Sequence, residues 1–314
     1  MHHPRRPRRP DGDSALKTQT ASPRRPGLQS GFVTVDSVRL HHTYAGRGAP
    51  PVLLVHGLGS AGYIEWRFNV PSLALSRRVL APDLPGFGRS AKPTARYGVP
   101  YFARTLEEYL QQLRVRSVDV VGASLGGRVA LELTLRNRSL VRRLVLVNSF
   151  GLGRPNVHLF YPLVTIPRVG EAVMRLLGRG LRSASPDIVR RVAARYTGTQ
   201  AELEKVIDEA YLADMREMHS DVDYPTAYLA TLRSLLQPQA LVRQRNLVRR
   251  LAATRIPVLL VWGTEDRLFP VEHATRAHAQ LPNSRLALIE GAGHTPQAER
   301  PEEFNRLVAE FIGS

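Results

Sequence analysis

A serine, an aspartate and a histidine stand where three apolar, extended runs give way to glycine-rich turns. Ser124 is the middle of Gly122-Ala123-Ser124-Leu125-Gly126, Asp266 ends Gly263-Thr264-Glu265-Asp266, and His294 ends Gly291-Ala292-Gly293-His294. A serine hydroxyl is a poor nucleophile at neutral pH. It needs a neighbouring base to take its proton, and that base needs an acid to fix its tautomer and stabilise its charged form. The chemistry on offer is attack by Ser124 on an acyl carbonyl. His294 would move the proton and Asp266 would hold the imidazole. The oxyanion that forms requires N–H donors, and two are in reach of such a turn: the backbone of Leu125, which opens a helix, and that of Leu58, in the loop His56-Gly57-Leu58-Gly59-Ser60-Ala61-Gly62.

These groups are separated by 142 and 28 residues, so the fold must bring them together. The β-branched run Val118–Val121 enters the serine turn and a helical pattern leaves it towards Leu135, with Gly122 and Gly126 removing side chains that would collide. Pro51–Val55, Val79–Ala81, Leu144–Val147, Val258–Trp262 and Arg285–Ile289 read as further strands, and Tyr101–Leu113, Val271–Leu281 and Pro301–Ile312 as helices. Apolar strands alternating with helices predict right-handed crossovers, and so an α/β fold with a mainly parallel, doubly wound sheet. Loops at the carboxyl ends of such strands gather on one edge, where Ser124, Asp266 and His294 would meet in the chain order Ser, Asp, His. A hairpin over Phe32–Tyr44, turning at Asp36-Ser37, precedes the sheet.

The alternation breaks near residue 151. Val169–Leu177, Pro186–Tyr196, Ala201–Met218, Tyr224–Leu236 and Gln239–Leu251 all read as helices with no strand between them. The expected organisation is a disordered Arg/Pro-rich tail over residues 1–30, a core domain over 31–150 and 251–314, and an inserted helical cap over 151–250.

Other residues compete for these roles. Glu265 adjoins Asp266, and Asp83 lies at another strand end, where it is expected to bond its own Pro/Gly turn. His56 reads as a pin for the Leu58 loop. His41, His42, His158, His219, His273 and His278 show no partner spacing, so no metal site is expected. Neither Gly-Lys-Ser/Thr nor Gly-x-Gly-x-x-Gly occurs in a phosphate-binding context, and no cofactor is expected. The absence of cysteine removes thiol chemistry. The net charge of +17 comes almost wholly from arginine and is spread along the chain. Residues 1–26 contribute seven basic and two acidic residues, and no basic stripe predicts specific nucleic-acid binding. No run approaches the ~20 apolar residues of a membrane span, and no apolar signal-peptide core is present, so a cytoplasmic protein is expected. The sequence carries no signal for an oligomeric state.

Five stretches in order resemble the α/β-hydrolase fold superfamily: His56-Gly57, Asp83-Leu84-Pro85-Gly86-Phe87-Gly88-Arg89-Ser90, Gly122-Ala123-Ser124-Leu125-Gly126-Gly127, Trp262-Gly263-Thr264-Glu265-Asp266 and Gly291-Ala292-Gly293-His294. The resemblance covers residues 32–314 outside the cap and implies a cap-bearing serine hydrolase. Relatives with an aspartate nucleophile, such as haloalkane dehalogenases and epoxide hydrolases, differ at the apex, which here is Ser124. Proline iminopeptidases differ around the same turn. The carbon–carbon hydrolases of meta-ring-fission products share the layout but usually carry asparagine before the serine and tryptophan after the histidine, where this chain has Ala123 and Thr295. In the cap, Leu159–Ile166 is the most apolar stretch. It would line an acyl pocket, touch a lipid surface or pack on the core. Phe160 and Tyr161, together with Thr295, are the expected substrate contacts. Arg154, Arg168 and Arg175 are the cap cations that would hold a carboxylate. The expected activity is hydrolysis of an uncharged small-molecule ester with a short- to medium-chain acyl group, without metal or cofactor. The alternatives are carbon–carbon hydrolysis of a ring-fission keto-acid and a non-enzymatic binding module.

Overall fold

The strongly apolar runs of the sequence form the centre of an eight-stranded sheet. The computed structural model describes residues 27–156, 164–197, 203–204, 206–237 and 246–314. Its strands are β1 (Gln29–Val35), β2 (Val38–Ala45), β3 (Val52–Val55), β4 (Val79–Pro82), β5 (Val118–Ala123), β6 (Val141–Val147), β7 (Val258–Gly263) and β8 (Ser284–Ile289). They lie in the order β1-β2-β4-β3-β5-β6-β7-β8. β2 pairs antiparallel with β1 and β4, and every pairing from β4 to β8 is parallel. From β3 the chain steps to β4 on one side and then to β5 on the other. That reversal opens a crevice beyond the carboxyl ends of β3 and β5, where doubly wound sheets bind ligands.

Alternate residues of the central strands feed two cores. Leu53, Val55, Val118 and Val120 face the larger cluster, with α3 (Val99–Gln112) and α4 (Leu125–Arg136), whereas Val52, Leu54, Val121 and Ala123 face the smaller one, with α12 (Pro301–Gly313). Burial on both sides is why these strands are continuously apolar instead of alternating. The short helices α1 (Gly62–Glu65) and α2 (Val70–Leu73) follow β3. At four residues each they are too short to show a helical period in the sequence.

Between β6 and β7 stand α5 (Val169–Ser183), α6 (Pro186–Thr197), α7 (Glu209–Ser220), α8 (Tyr224–Leu236) and α9 (Leu247–Thr254); α10 (Glu272–His278) and α11 (Pro296–Glu299) follow β7 and β8. Three boundaries differ from the sequence reading. β1 starts at Gln29, paired with Tyr44, so the expected tail gives way before residue 30, because ladder bonds need no apolar side chain. The single helix expected over 201–218 is interrupted: Asp208 is extended and its carboxylate caps α7 through the Tyr211 N–H at 2.7 Å, a helix-start preference that overrides the apolar period. Of the helix expected over 239–251, residues 239–245 lie outside the described residues; the remainder belongs to Leu247–Thr254, which extends past 251 and whose Leu247 and Leu251 join the main core beside α4. The hairpin turn is as read, with Asp36 and Ser37 both at positive φ, the two-residue geometry that matches strand twist. Among the described residues no helix is long and apolar enough to cross a membrane.

Candidate active site

Ser124 joins β5 to α4 with φ 51° and ψ −118°, a left-handed conformation unusual for a residue with a side chain. The turn holds because everything around it fits closely. A Cβ on Gly122 would lie 2.4 Å from the Gly126 carbonyl oxygen, and one on Gly126 would lie 2.1 Å from that of Val55. The Ser124 N–H donates to the Val147 carbonyl, and the Ser124 carbonyl accepts from the Phe150 N–H, each at 3.0 Å. The end of β6 therefore fixes the strained residue from both sides.

Across the carboxyl edge, His294 Nδ1 lies 2.9 Å from Asp266 Oδ2. Asp266 is buried, and its Oδ1 accepts the Leu268 and Phe269 N–H groups at 2.8 and 3.0 Å. A carboxylate only accepts, so Nδ1 carries the proton and Nε2 is left as the base, a tautomer assigned from the network. Burial by itself lowers the His294 pKa. The charge and hydrogen bond of Asp266, helped by Glu65 and Glu299, outweigh it and hold the imidazole above its ordinary value. Glu265, the rival acid, is exposed. Asp83 is occupied elsewhere: it accepts from the Gly62 and Arg89 N–H groups at 2.8 and 2.9 Å and pairs with His41 Nδ1 at 2.9 Å. His41 thus has a partner that spacing did not reveal. His56 donates from Nδ1 to the Gly57 carbonyl and accepts the Leu84 N–H on Nε2, which pins the loop after β3 to the loop after β4. Both its nitrogens are committed, and burial lowers its pKa.

Three supporting residues escaped the sequence reading. Asn148, at φ 40° just past β6, donates from Nδ2 to Asp266 Oδ2 and to the Gly293 carbonyl, while its Oδ1 accepts the Gly263 N–H at 3.0 Å. One side chain ties together the ends of β6, β7 and β8. The available signal was a polar pair, Asn148-Ser149, ending an apolar strand. Glu299 brackets His294, accepting the Gly293 N–H at 2.7 Å and both the N–H and the hydroxyl of Thr295 at 2.9 Å. Burial raises its pKa. Glu65 accepts the Gly57 N–H at 2.9 Å and Gln297 Nε2 at 3.2 Å, and burial pushes its carboxyl up to about 7.

Ser124, His294, Leu58 and Glu65 line one cavity of about 190 Å³, whose wall also includes Leu203 and Ile207. Gly57 keeps its wall thin, since a Cβ there would sit 3.2 Å from Ser124 Cβ and 3.5 Å from Glu65 Oε2. Leu125 is the first residue of α4, so its N–H has no acceptor within the helix. Of the expected substrate contacts, Thr295 lines the cavity with its hydroxyl committed to Glu299, while Phe160 and Tyr161 lie outside the described residues. Arg154, Arg168 and Arg175 are exposed and absent from the lining. Arg67 is the lining cation, and it donates to Asp208 Oδ1 at 3.0 Å and to the Val206 carbonyl. A hydroxyl and an imidazole lining one cavity, the imidazole oriented by a buried carboxylate, suit nucleophilic acyl transfer.

Known proteins resemble this chain in sequence and in fold. The sequence profile of the α/β hydrolase fold family matches residues 50–301. An uncharacterized protein of Mycobacterium tuberculosis is 35% identical over 292 residues, covering 91% of this chain and 81% of its own. A 2-hydroxy-6-oxononadienedioate/2-hydroxy-6-oxononatrienedioate hydrolase of Cupriavidus pinatubonensis is 30% identical over 294 residues, covering 91% of this chain and 96% of its own. Among solved structures, a meta-cleavage product hydrolase of Pseudomonas fluorescens superposes with a TM-score of 0.71 at 22% identity, covering 90% of this chain and 97% of that one.

Proposed function

The chain belongs to the α/β hydrolase fold family and is a hydrolase, and from that premise we propose that it is a serine hydrolase acting on uncharged carboxylic esters through an acyl-enzyme. The observation that carries this reading is that Ser124, on its strained turn, and His294, paired with the buried Asp266, line one cavity. Ser124 Oγ attacks the carbonyl as His294 Nε2 takes its proton. The backbone N–H groups of Leu58 and Leu125 stabilise the oxyanion, and the proton passes to the departing alcohol. Water then repeats the sequence on the acyl-enzyme. Losing one oxyanion donor typically adds about 3 kcal/mol to such a barrier. The insertion between β6 and β7 acts as the cap that sets specificity.

The cavity wall supports an uncharged substrate. Its acid, Glu65, faces the space beside Ser124, and its cation, Arg67, is engaged by Asp208 and a backbone carbonyl. The remaining wall is largely apolar, with Leu203, Val206 and Ile207. A second reading, carbon–carbon hydrolysis of a ring-fission keto-acid, is favoured by the 30% identical relative with that name. The test is hydrolysis of p-nitrophenyl esters from acetate to palmitate beside a ring-fission dienoate, for the wild type and Ser124→Ala. Ester turnover lost in the variant supports the proposal. Turnover of the dienoate alone replaces it with the second reading, and turnover of neither refutes both.

A further inference from the structure

Eleven large apolar side chains are exposed among the described residues, and six of them fall between positions 166 and 192: Ile166, Val169, Leu176, Leu177, Ile188 and Val192. Leu176 is 67% and Leu177 50% exposed. On α5 the inner face is committed to the protein. Met174 is buried, a Cβ on Gly170 would strike the Val164 carbonyl at 1.9 Å, and Gly178 faces His219 of α7. The outer face is built differently. Arg168, Arg175 and Arg179 follow one line of the helix at i, i+7 and i+11, and Val169 and Leu176 run beside them. All five are exposed. Among the described residues none of these three arginines has an acidic partner, because Glu171 is held by Arg233 and Asp187 by Arg190.

We propose that this outer face of α5 docks on an anionic lipid bilayer, Leu176 and Val169 entering the headgroup–acyl boundary and the arginine row meeting lipid phosphates. An apolar row beside a cationic row is the pattern of a helix lying in a membrane interface. The occupant must offer both apolar depth and negative charge. Residues 1–26 carry seven basic and two acidic residues, and a second copy of a chain of net charge +17 brings the same arginines, so both are repelled. The next helix, α6, ends near the catalytic cavity through Ala193, so a docked α5 would bring that cavity close to amphiphilic compounds in the bilayer.

The test is flotation of the full chain with phosphatidylcholine vesicles, with and without phosphatidylglycerol, at low and raised salt. Binding is expected only with the anionic lipid and is expected to weaken with salt. Val169→Ser/Leu176→Ser and Arg175→Gln/Arg179→Gln should each lower the partition coefficient roughly tenfold or more, with melting temperature unchanged. No binding to anionic vesicles overturns the proposal. So does wild-type binding by both double variants, which would place the contact elsewhere, for example in residues 1–26. A sedimenting dimer that Val169→Ser/Leu176→Ser dissolves would overturn the proposal and assign the face to a second copy.

Discussion

Glu65→Gln should stabilise the protein at alkaline pH and leave it nearly unchanged in acid. The Glu65 carboxyl has an ordinary value of 4.5 and is carried by burial to about 7. The folded protein therefore binds this proton more tightly than the unfolded chain does. The stability linked to that proton is fully present below pH 4.5 and is lost as pH rises through about 7. A shift of this size corresponds to roughly 3 kcal/mol at about 1.36 kcal/mol per unit, or about 2 kcal/mol once partial exposure to the cavity is allowed for. Glutamine keeps an oxygen for the Gly57 N–H. Its new NH2 would meet Gln297, whose Oε1 is buried without a partner and can accept after an amide flip. Calorimetry at pH 4 and pH 8 reads the difference: near zero at pH 4, and a gain of about 3 °C at pH 8 for a domain of this size. Equal shifts at the two pH values would refute the reasoning, because Glu65 would then ionise alike in both states. A kinetic arm is independent of the melt. Glu65 is one of the carboxylates that raise His294, so the acid limb of kcat/KM should move to lower pH in the variant.

Further substitutions separate positioning from folding. Asn148→Ala removes three buried hydrogen bonds, one to the Asp266 carboxylate, and should cost about 3 kcal/mol in urea unfolding. It should also lower kcat about tenfold or more with little change in KM. Gly57→Ala puts a methyl group 3.2 Å from Ser124 Cβ. The protein should melt within a few degrees of wild type while kcat falls by about tenfold, as measured with the best ester. Glu299→Gln leaves one acceptor for the three donors that bracket His294 and removes a charge that raises its pKa. Its pH–rate profile should show both a lower plateau and an acid limb at lower pH.

Ser124, Asp266 and His294 were legible because each ends a strand whose apolar run is written in consecutive residues. The parallel topology alone puts such ends on one edge. Helices with several turns were legible for a similar reason, as Tyr224–Leu236 shows. What surrounds the three residues was not legible. Asn148 acts on Asp266 and Gly293, 118 and 145 positions away. Glu65 and Glu299 lie on four-residue helices with no period to see, and nothing local to Glu65 announces Gln297. Asp83 and Asp266 look alike as strand-end acids and are told apart by their donors: His41, Gly62 and Arg89 for one, His294 and Asn148 for the other. The break at Asp208 was missed because one capping carboxylate decides it against eighteen residues of helical pattern.

The sheet order has a consequence for how this protein could diversify. The strands that end in Ser124, Asn148, Asp266 and His294 are β5, β6, β7 and β8, four consecutive neighbours. The chain leaves the sheet at the end of β6 and returns through α9 into β7, the adjacent strand. The entry and exit of the insertion are therefore neighbours, and their spacing is fixed by the pairing of β6 with β7 and by α9 against α4. Replacing that segment with one of different length would leave the ladder, and hence the spacing of the strand ends beside Ser124, Asp266 and His294, unchanged. A change of insertion would then alter the part of the cavity wall that Leu203, Val206 and Ile207 supply without moving those strand ends.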